Sequence, residues 1–348
     1  MNEIEFLEKL ISIPSVSKNE TEVAEYLVAE MASFCDEAFI DQAGNAIGKL
    51  GRGDLKIFFL GHIDTVPGHI PVEIVAGNLY GRGSVDAKGS FATAVMAAKR
   101  LDNEVLDKIS LSLIGAVEEE VGSSKGARYV LEAYGQPDLI IIGEPSSFDA
   151  MTLGYKGRLI AHLSTEKDNF HSAGEGTTAA EDLVEVWNIL NNDAKEYNKQ
   201  SQKIFEQLQI SLQEFNTNSD GLSQKAKAVV GYRLPLDISP SDLKEKIKSL
   251  VDCKIEFKSS EIAYRSDRNS QLARAFRLAI REHGFKPRLK LKTGTSDMNV
   301  IAASWGLPML AYGPGDSTLD HRPDEHLNLD EYKKAITILA SALKNLSI

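Results

Sequence analysis

Apolar and polar positions recur along this chain with two different periods. Ile4, Leu7, Leu10 and Ile11 fall at helical spacing, as do Val23, Tyr26 and Leu27, which predicts helices over 2–12 and 20–34. "IGKLG" and "LKIFFLGH" then read as strands, and "GSFATAVMAAKRL" (89–101) as an apolar helix. "ISLSLIGAV" (109–117) reads as a strand, and "SSKGARYVLEAYG" (123–135) as a helix with Gly135 just past its end. "DLIIIG" (138–143) is a short, fully apolar strand. Strands buried on both faces and alternating with helices predict an α/β fold around a mostly parallel sheet flanked by helices.

The middle of the chain changes character. "GRLIAHLSTE" reads as a strand, "TTAAEDLVEVWNILNN" as a helix, "IFEQLQISLQEF" and "QKAKAVVGYRLP" as paired strands, and "CKIEFKS" as a closing strand. Before the last comes "SPSDLKEKIKSLV", a helix with Ser239 as its N-cap and Pro240 in its first turn. That order, βαββαβ, predicts an inserted α+β domain of ferredoxin-like type over 156–262. The α/β pattern resumes with the helix "NSQLARAFRLAIREHG", ending at Gly284, and runs to the C-terminal helix. The first domain is therefore expected to be discontinuous, 1–155 with 263–348.

Composition narrows the function class. With 348 residues, 43% hydrophobic and 26% charged, the chain has a globular make-up. A net charge of -11 and a pI of 5.3 argue against nucleic acid or an anionic membrane surface as partner. No apolar run reaches the roughly 20 residues of a membrane span, and the acidic N-terminus reads as a helix rather than a signal peptide. Cys35 and Cys253 offer no disulfide framework and no cysteine metal motif, so a cytoplasmic location is expected.

The candidate chemistry lies where strands end, because open parallel sheets bind ligands beyond their carboxyl edge. After 55–60 come His62 and Asp64; after 109–117 come Glu118, Glu119 and Glu120; after 138–143 comes Glu144. Asp86 sits in "GRGSVDAKGS" ahead of a helix, and His321 and His326 in the late loop "PGDSTLDHRPDEH". Each has a plainer explanation: a solvated glutamate run, a helix cap for Asp86, a loop histidine. Several strand ends delivering such residues to one sheet edge weaken those explanations together. A surplus of carboxylates there is costly without a cation, and a His/Asp/Glu set without Cys suits a catalytic divalent metal site.

"GHIDTV", "GRGSVDAKG", "EEEVGS", "GEPSS" and "GTSD…GPGDSTLDH" fall in the order found in the di-zinc amidohydrolase and metallopeptidase family of acetylornithine deacetylase and succinyl-diaminopimelate desuccinylase, which this chain resembles over nearly its whole length. The resemblance implies two divalent ions per chain, zinc by default, with cobalt or manganese as alternatives. It implies His62 and Glu144 as ligands of one ion, Glu120 and His321 of the other, and Asp86 as the bridge. It casts Asp64 as the carboxylate that orients His62, and Glu119 as the general base. The family usually reads Asp-Glu-Glu where this chain has Glu118-Glu119-Glu120, so a one-residue shift would exchange base and ligand. His171 in "FHSAGEG" matches the oxyanion partner from the inserted domain, although the proline usual after it is missing; His162, inside a strand, is the weaker match. Arg233 matches an arginine that binds a substrate carboxylate. In the family the inserted domain serves as lid and often as dimer contact, so a homodimer is expected.

"KTGTSDMN" with "AYGPGDSTLDH" further resembles the subgroup that releases lysine or ornithine from an acidic amino-group carrier protein, in lysine and arginine biosynthesis. This implies hydrolysis of an amide on the carrier's C-terminal glutamate and places Gly294, Thr295 and Ser296 at the substrate. Deacylation of a small N-acyl amino acid or dipeptide cleavage is the alternative within the class; a non-catalytic metal- or carrier-binding module is the alternative outside it. Lys286, Arg288, Lys290 and Lys292 alternate at period two, which predicts one cationic face on a strand, either as edge protection or as a docking stripe for the carrier.

Overall fold

The structure is a computed structural model and describes residues 2–171 and 175–347. The chain forms two compact units: Met1–Gly154 with Ser266–Leu291 and Ser296–Ile348, and Tyr155–Arg265 with Lys292–Thr295.

In the first unit, strands lie in the order Glu37–Ile40, Ala46–Leu50, Ile109–Ala116, Leu55–His62, Leu139–Gly143, Met309–Ala311, Ala150–Tyr155. Ile109–Ala116, Leu55–His62, Leu139–Gly143 and Met309–Ala311 run parallel, and antiparallel strands flank them. The register decides where the chemistry goes. His62 lies opposite Ala116 and Gly61 opposite Gly143, so three parallel strands end at one level and their following loops start side by side.

The helix Lys88–Ala98 is buried along its whole length and sets Phe91 against Phe59, ring centroids 6.4 Å apart. Its close seating requires that Gly61 and Gly115 carry no side chain, since a Cβ there would lie 3.4 and 3.2 Å from the Phe91 ring. A Cβ on Gly143 would lie 2.7 Å from the Phe59 ring and 2.9 Å from the Gly61 Cα. The helices Gln271–Glu282 and Leu329–Leu346 complete the core with Phe276, Tyr332, Ile336 and Leu339. A small three-stranded sheet, Glu73–Val75, Asn78–Tyr80 and His326–Asn328, joins the chain before Asp86 to the chain after His321.

The second unit is a four-stranded antiparallel sheet in the order Gln209–Ser219, Ser223–Leu234, Gly157–Asp168, Lys254–Glu261. The helices Ala179–Tyr197 and Pro240–Leu250 pack Leu183, Leu190, Leu243 and Ile247 onto Leu159, Leu163, Ala228 and Val230. Ser239 caps its helix by accepting the Asp242 N–H at 3.1 Å, with Pro240 following. This is the predicted βαββαβ order.

One expectation needs correction. Gly135 does not close its helix: Lys125–Ala133 ends with Tyr134 in extended conformation, and Gly135 has no left-handed φ, because the chain runs straight on to its next strand. Gly284, at φ +83, does terminate Gln271–Glu282 in the predicted way. On Arg288–Lys292 both faces reach solvent: the Arg288 side chain stays 53% exposed while pairing with Asp149. Lys290 donates to Ser147 Oγ at 3.0 Å, while Leu289 and Leu291 are each 41% exposed.

Candidate metal centre

His62 is the last residue of its strand and is buried. Its Nδ1 lies 2.9 Å from the Asp64 carbonyl oxygen, which can only accept, so Nδ1 carries a proton. Its Nε2 faces Asp86 Oδ1 at 3.2 Å and Glu144 Oε1 at 3.9 Å. Burial alone would lower the imidazole pKa, but the Asp64 and Asp86 carboxylates outweigh it and raise the pKa well above 6.5. Asp86 divides its two oxygens: Oδ1 meets His62, and Oδ2 meets His321 Nε2 at 3.1 Å. Despite burial, these two imidazoles hold the Asp86 carboxyl far below its ordinary range. His321 also meets Glu120 Oε2 at 3.0 Å, and hydrogen bonding to Asp86 and Glu120 lifts its pKa to about 10.

The three consecutive glutamates part company. Glu118, at φ +59, accepts from Ser123 Oγ at 2.7 Å. Glu120 turns to His321. Glu119 is half-buried among carboxylates, and desolvation first, then Asp297, Glu144 and Glu120, push its pKa well above 4.5 against the opposing pull of His62. Asp64 does more than face His62. Its carboxylate is 3.5 Å from Nδ1, farther than its own carbonyl, and accepts the N–H groups of Glu119 and Glu120, each at 3.1 Å, and Ser17 Oγ at 2.7 Å.

His62, Asp86 and Glu120 place ligand atoms within 4.8 Å of one another. The donor set fits a pair of divalent cations. Two imidazoles each aim Nε2 at a different oxygen of one shared carboxylate, and Glu120 and Glu144 supply the outer carboxylates. Cations there would replace the imidazole Nε2 protons and relieve the crowding of like charges.

The other sequence candidates lie elsewhere in the chain. Arg233, on Ser223–Leu234, donates to Thr295 Oγ1 at 3.1 Å and faces Arg158 across the sheet. Burial and Arg158 lower its pKa. Gly294 and Thr295 belong to the same unit as Arg233, whereas Ser296 belongs to the first unit and caps the short helix Asp297–Ala302 by accepting the Met298 N–H at 3.2 Å. His171 follows Gly157–Asp168 and is exposed; Ser172, Ala173 and Gly174 of its motif lie outside the described residues. His162 sits opposite Val229 and Glu256 in the sheet, on a polar depression shared with Lys227 and Glu214.

Sequence reading missed three buried charged groups, two of them beside the centre. Asp297 is buried near Glu119. Glu325 is fully buried and receives N–H groups beside Asp86. Lys88 is buried and donates to the carbonyls of Leu10 and Ile13 at 3.2 and 2.8 Å. The only signals were an Asp in "GTSD" and a Glu four residues after His321, both unremarkable by spacing alone.

The chain is similar to known proteins over nearly its whole length. A profile of Peptidase family M20/M25/M40 matches residues 58–345. A LysW-lysine hydrolase of Deinococcus radiodurans is 47% identical over 98% of this chain and 96% of its own length. A LysW-lysine/LysW-ornithine hydrolase of Sulfurisphaera tokodaii is 33% identical over 86% of this chain and 83% of its own length. Among solved structures, an M20 family metallo-carboxypeptidase of Sulfolobus solfataricus superposes with a TM-score of 0.83 at 19% identity, covering both chains fully. A dinuclear metal binding M20 peptidase of Bacillus subtilis gives 0.72 at 13% identity, over 98% of this chain and 96% of its own. Profile, near full-length relatives and fold concur: this chain belongs to peptidase family M20/M25/M40.

Proposed function

We propose that this hydrolase cleaves the amide joining lysine or ornithine to the C-terminal glutamate of an acidic amino-group carrier protein, and releases the free amino acid for lysine or arginine biosynthesis. The 47% identity to a LysW-lysine hydrolase, running nearly end to end, is the observation that carries the substrate assignment. His62, Asp86, Glu120, Glu144 and His321 would hold two divalent ions; the nitrogen and oxygen donors suit zinc, and also cobalt or manganese. When bound, such a pair acidifies a water molecule and polarises an amide carbonyl.

Glu119 acts as general base: it takes a proton from the attacking water and returns it to the leaving nitrogen, so the amide ends as a carboxylate and an amine. Its raised pKa suits a group that must hold that proton between the two steps. Asp64 fixes the backbone on which Glu119 stands and the ring of His62. His171 supplies the oxyanion partner. Arg233, beside Thr295, takes the α-carboxylate of the lysine or ornithine portion, with Gly294 and Ser296 in the adjoining segment. A homodimer is in keeping with the exposed edge strand Gln209–Ser219, and a cytoplasmic location with the two free thiols. A non-catalytic role is disfavoured by Glu119, a half-buried carboxylate beside the ligand set that a dead site would have no use for.

The test is a substrate panel on metal-free enzyme restored with zinc, cobalt or manganese. Carrier-lysine and carrier-ornithine conjugates should show the highest kcat/KM. A higher value for N-acetylornithine, N-succinyl-diaminopimelate or a dipeptide would overturn the assignment.

A further inference from the structure

The loop that ends in His321 carries a second acidic group, Glu325, four residues on. Glu325 is fully buried and belongs to no ligand cluster among the described residues. Its Oε1 accepts the N–H of Val85 at 2.9 Å and of Asp86 at 3.2 Å, and its Oε2 accepts from Arg82 Nη1 at 2.7 Å. Arg82 Nη1 also donates to the Arg322 carbonyl at 3.3 Å, and the Gly81 N–H to the Glu325 carbonyl at 3.3 Å. His326–Asn328 pairs with Asn78–Tyr80, with the Tyr80 and His326 rings 4.7 Å apart. The segment bearing Asp86 and the segment bearing His321 are thus clasped together, and behind the Asp86 backbone the polar ties run through Glu325 and Arg82.

A structural explanation alone does not account for the charge. A neutral side chain could accept two amides, whereas a second carboxylate directly behind Asp86 adds like charge to an acidic centre and must be balanced by an arginine whose side chain is only 14% exposed. What the ionised pair adds is short, charge-assisted hydrogen bonds that fix a backbone position tightly.

We infer that Glu325, held by Arg82, is a positioning residue that sets Asp86 relative to His321 and thereby governs divalent-ion affinity. This rests on the reading of Asp86 as a ligand. The experiment is a zinc titration of the metal-free protein against a chromophoric chelator, with circular dichroism and urea unfolding of each metal-free variant in parallel. Asp86→Asn tests the underlying reading; zinc binding equal to the wild type would overturn that reading, and the inference with it. Glu325→Ala should bind zinc about 10–100-fold more weakly, as loss of groups that orient ligands commonly does. Glu325→Gln keeps an oxygen for both amides but turns an NH2 toward Arg82, so its loss should be smaller. Adding Arg82→Met to Glu325→Gln should recover affinity, a rescue that general loosening of the fold would not produce. If Glu325→Ala does not fold, the Gln variant and its double variant decide. Wild-type affinity in a folded Glu325→Ala, or no rescue in the double variant while Asp86→Asn has lost zinc, would overturn the inference.

Discussion

The carboxylate of Asp64 accepts the backbone N–H of Glu119 at 3.1 Å, while its second oxygen accepts that of Glu120 at the same distance. One side chain therefore sets two successive residues whose side chains point to different tasks, and places them against His62. Asp64→Ala should lower zinc affinity about 10–100-fold and reduce turnover at saturating zinc as well. Asp64→Asn, which keeps one acceptor oxygen, should lose less in both. Chelator competition and kcat at saturating zinc read the two effects separately.

Glu119→Gln should leave zinc content unchanged, because Glu119 is not placed as a ligand. It should lower kcat about 10²–10⁴-fold, the range expected for losing a general base. Retained activity, with metal content measured by mass spectrometry, would show that another group takes the proton.

The imidazole of His321 binds its proton more tightly in the folded, metal-free protein, with its pKa lifted to about 10 by Asp86 and Glu120. Its contribution to the stability of that form is fully present below the unfolded value near 6.5 and is lost as pH rises through about 10. The stability difference between wild type and His321→Gln should shrink over that window, as read by urea midpoints at several pH values. If His321 holds a divalent ion as proposed, that ion would displace the same proton, so zinc addition at pH 8 in weak buffer should acidify the solution, and less so in His321→Gln.

Gly143→Ala should destabilise the protein by about 1–3 kcal/mol, the usual cost of forcing a methyl group into a packed site. The new Cβ meets the Phe59 ring and the Gly61 backbone, and the next residue is Glu144. A lower urea midpoint together with weaker zinc binding is the expected pair of results.

The parts of this centre that sequence displays are those set by strand periodicity. His62, Glu119, Glu120 and Glu144 follow abruptly on apolar runs, and the parallel register brings those runs level. The parts it hides depend on which loops meet. Nothing in "HRPDEH" tells that Glu325 points at the amide of Asp86, and nothing in "GHIDTV" tells that Asp64 serves Glu119. The short strands Glu37–Ile40 and Glu73–Val75 escaped notice for a related reason: exposed pairing segments carry too little apolar pattern to stand out. On Arg288–Lys292 the alternation was legible but the partners of its charges were not, because only the fold brings Asp149 and Ser147 to them.

Met309–Ala311 lies between Leu139–Gly143 and Ala150–Tyr155, two strands that are neighbours in sequence but not in the sheet. This has a consequence for the order of events on the ribosome. The βαββαβ core of the second unit is contiguous and can close as soon as residue 261 has emerged. The first unit must wait, its sheet gapped and two strand edges bare, until Met309–Ala311 arrives. His321 emerges just after that wedge, so the proposed cation site cannot be complete before then. A nascent chain stalled short of residue 309 would be acidic, open-edged and a natural client for a chaperone.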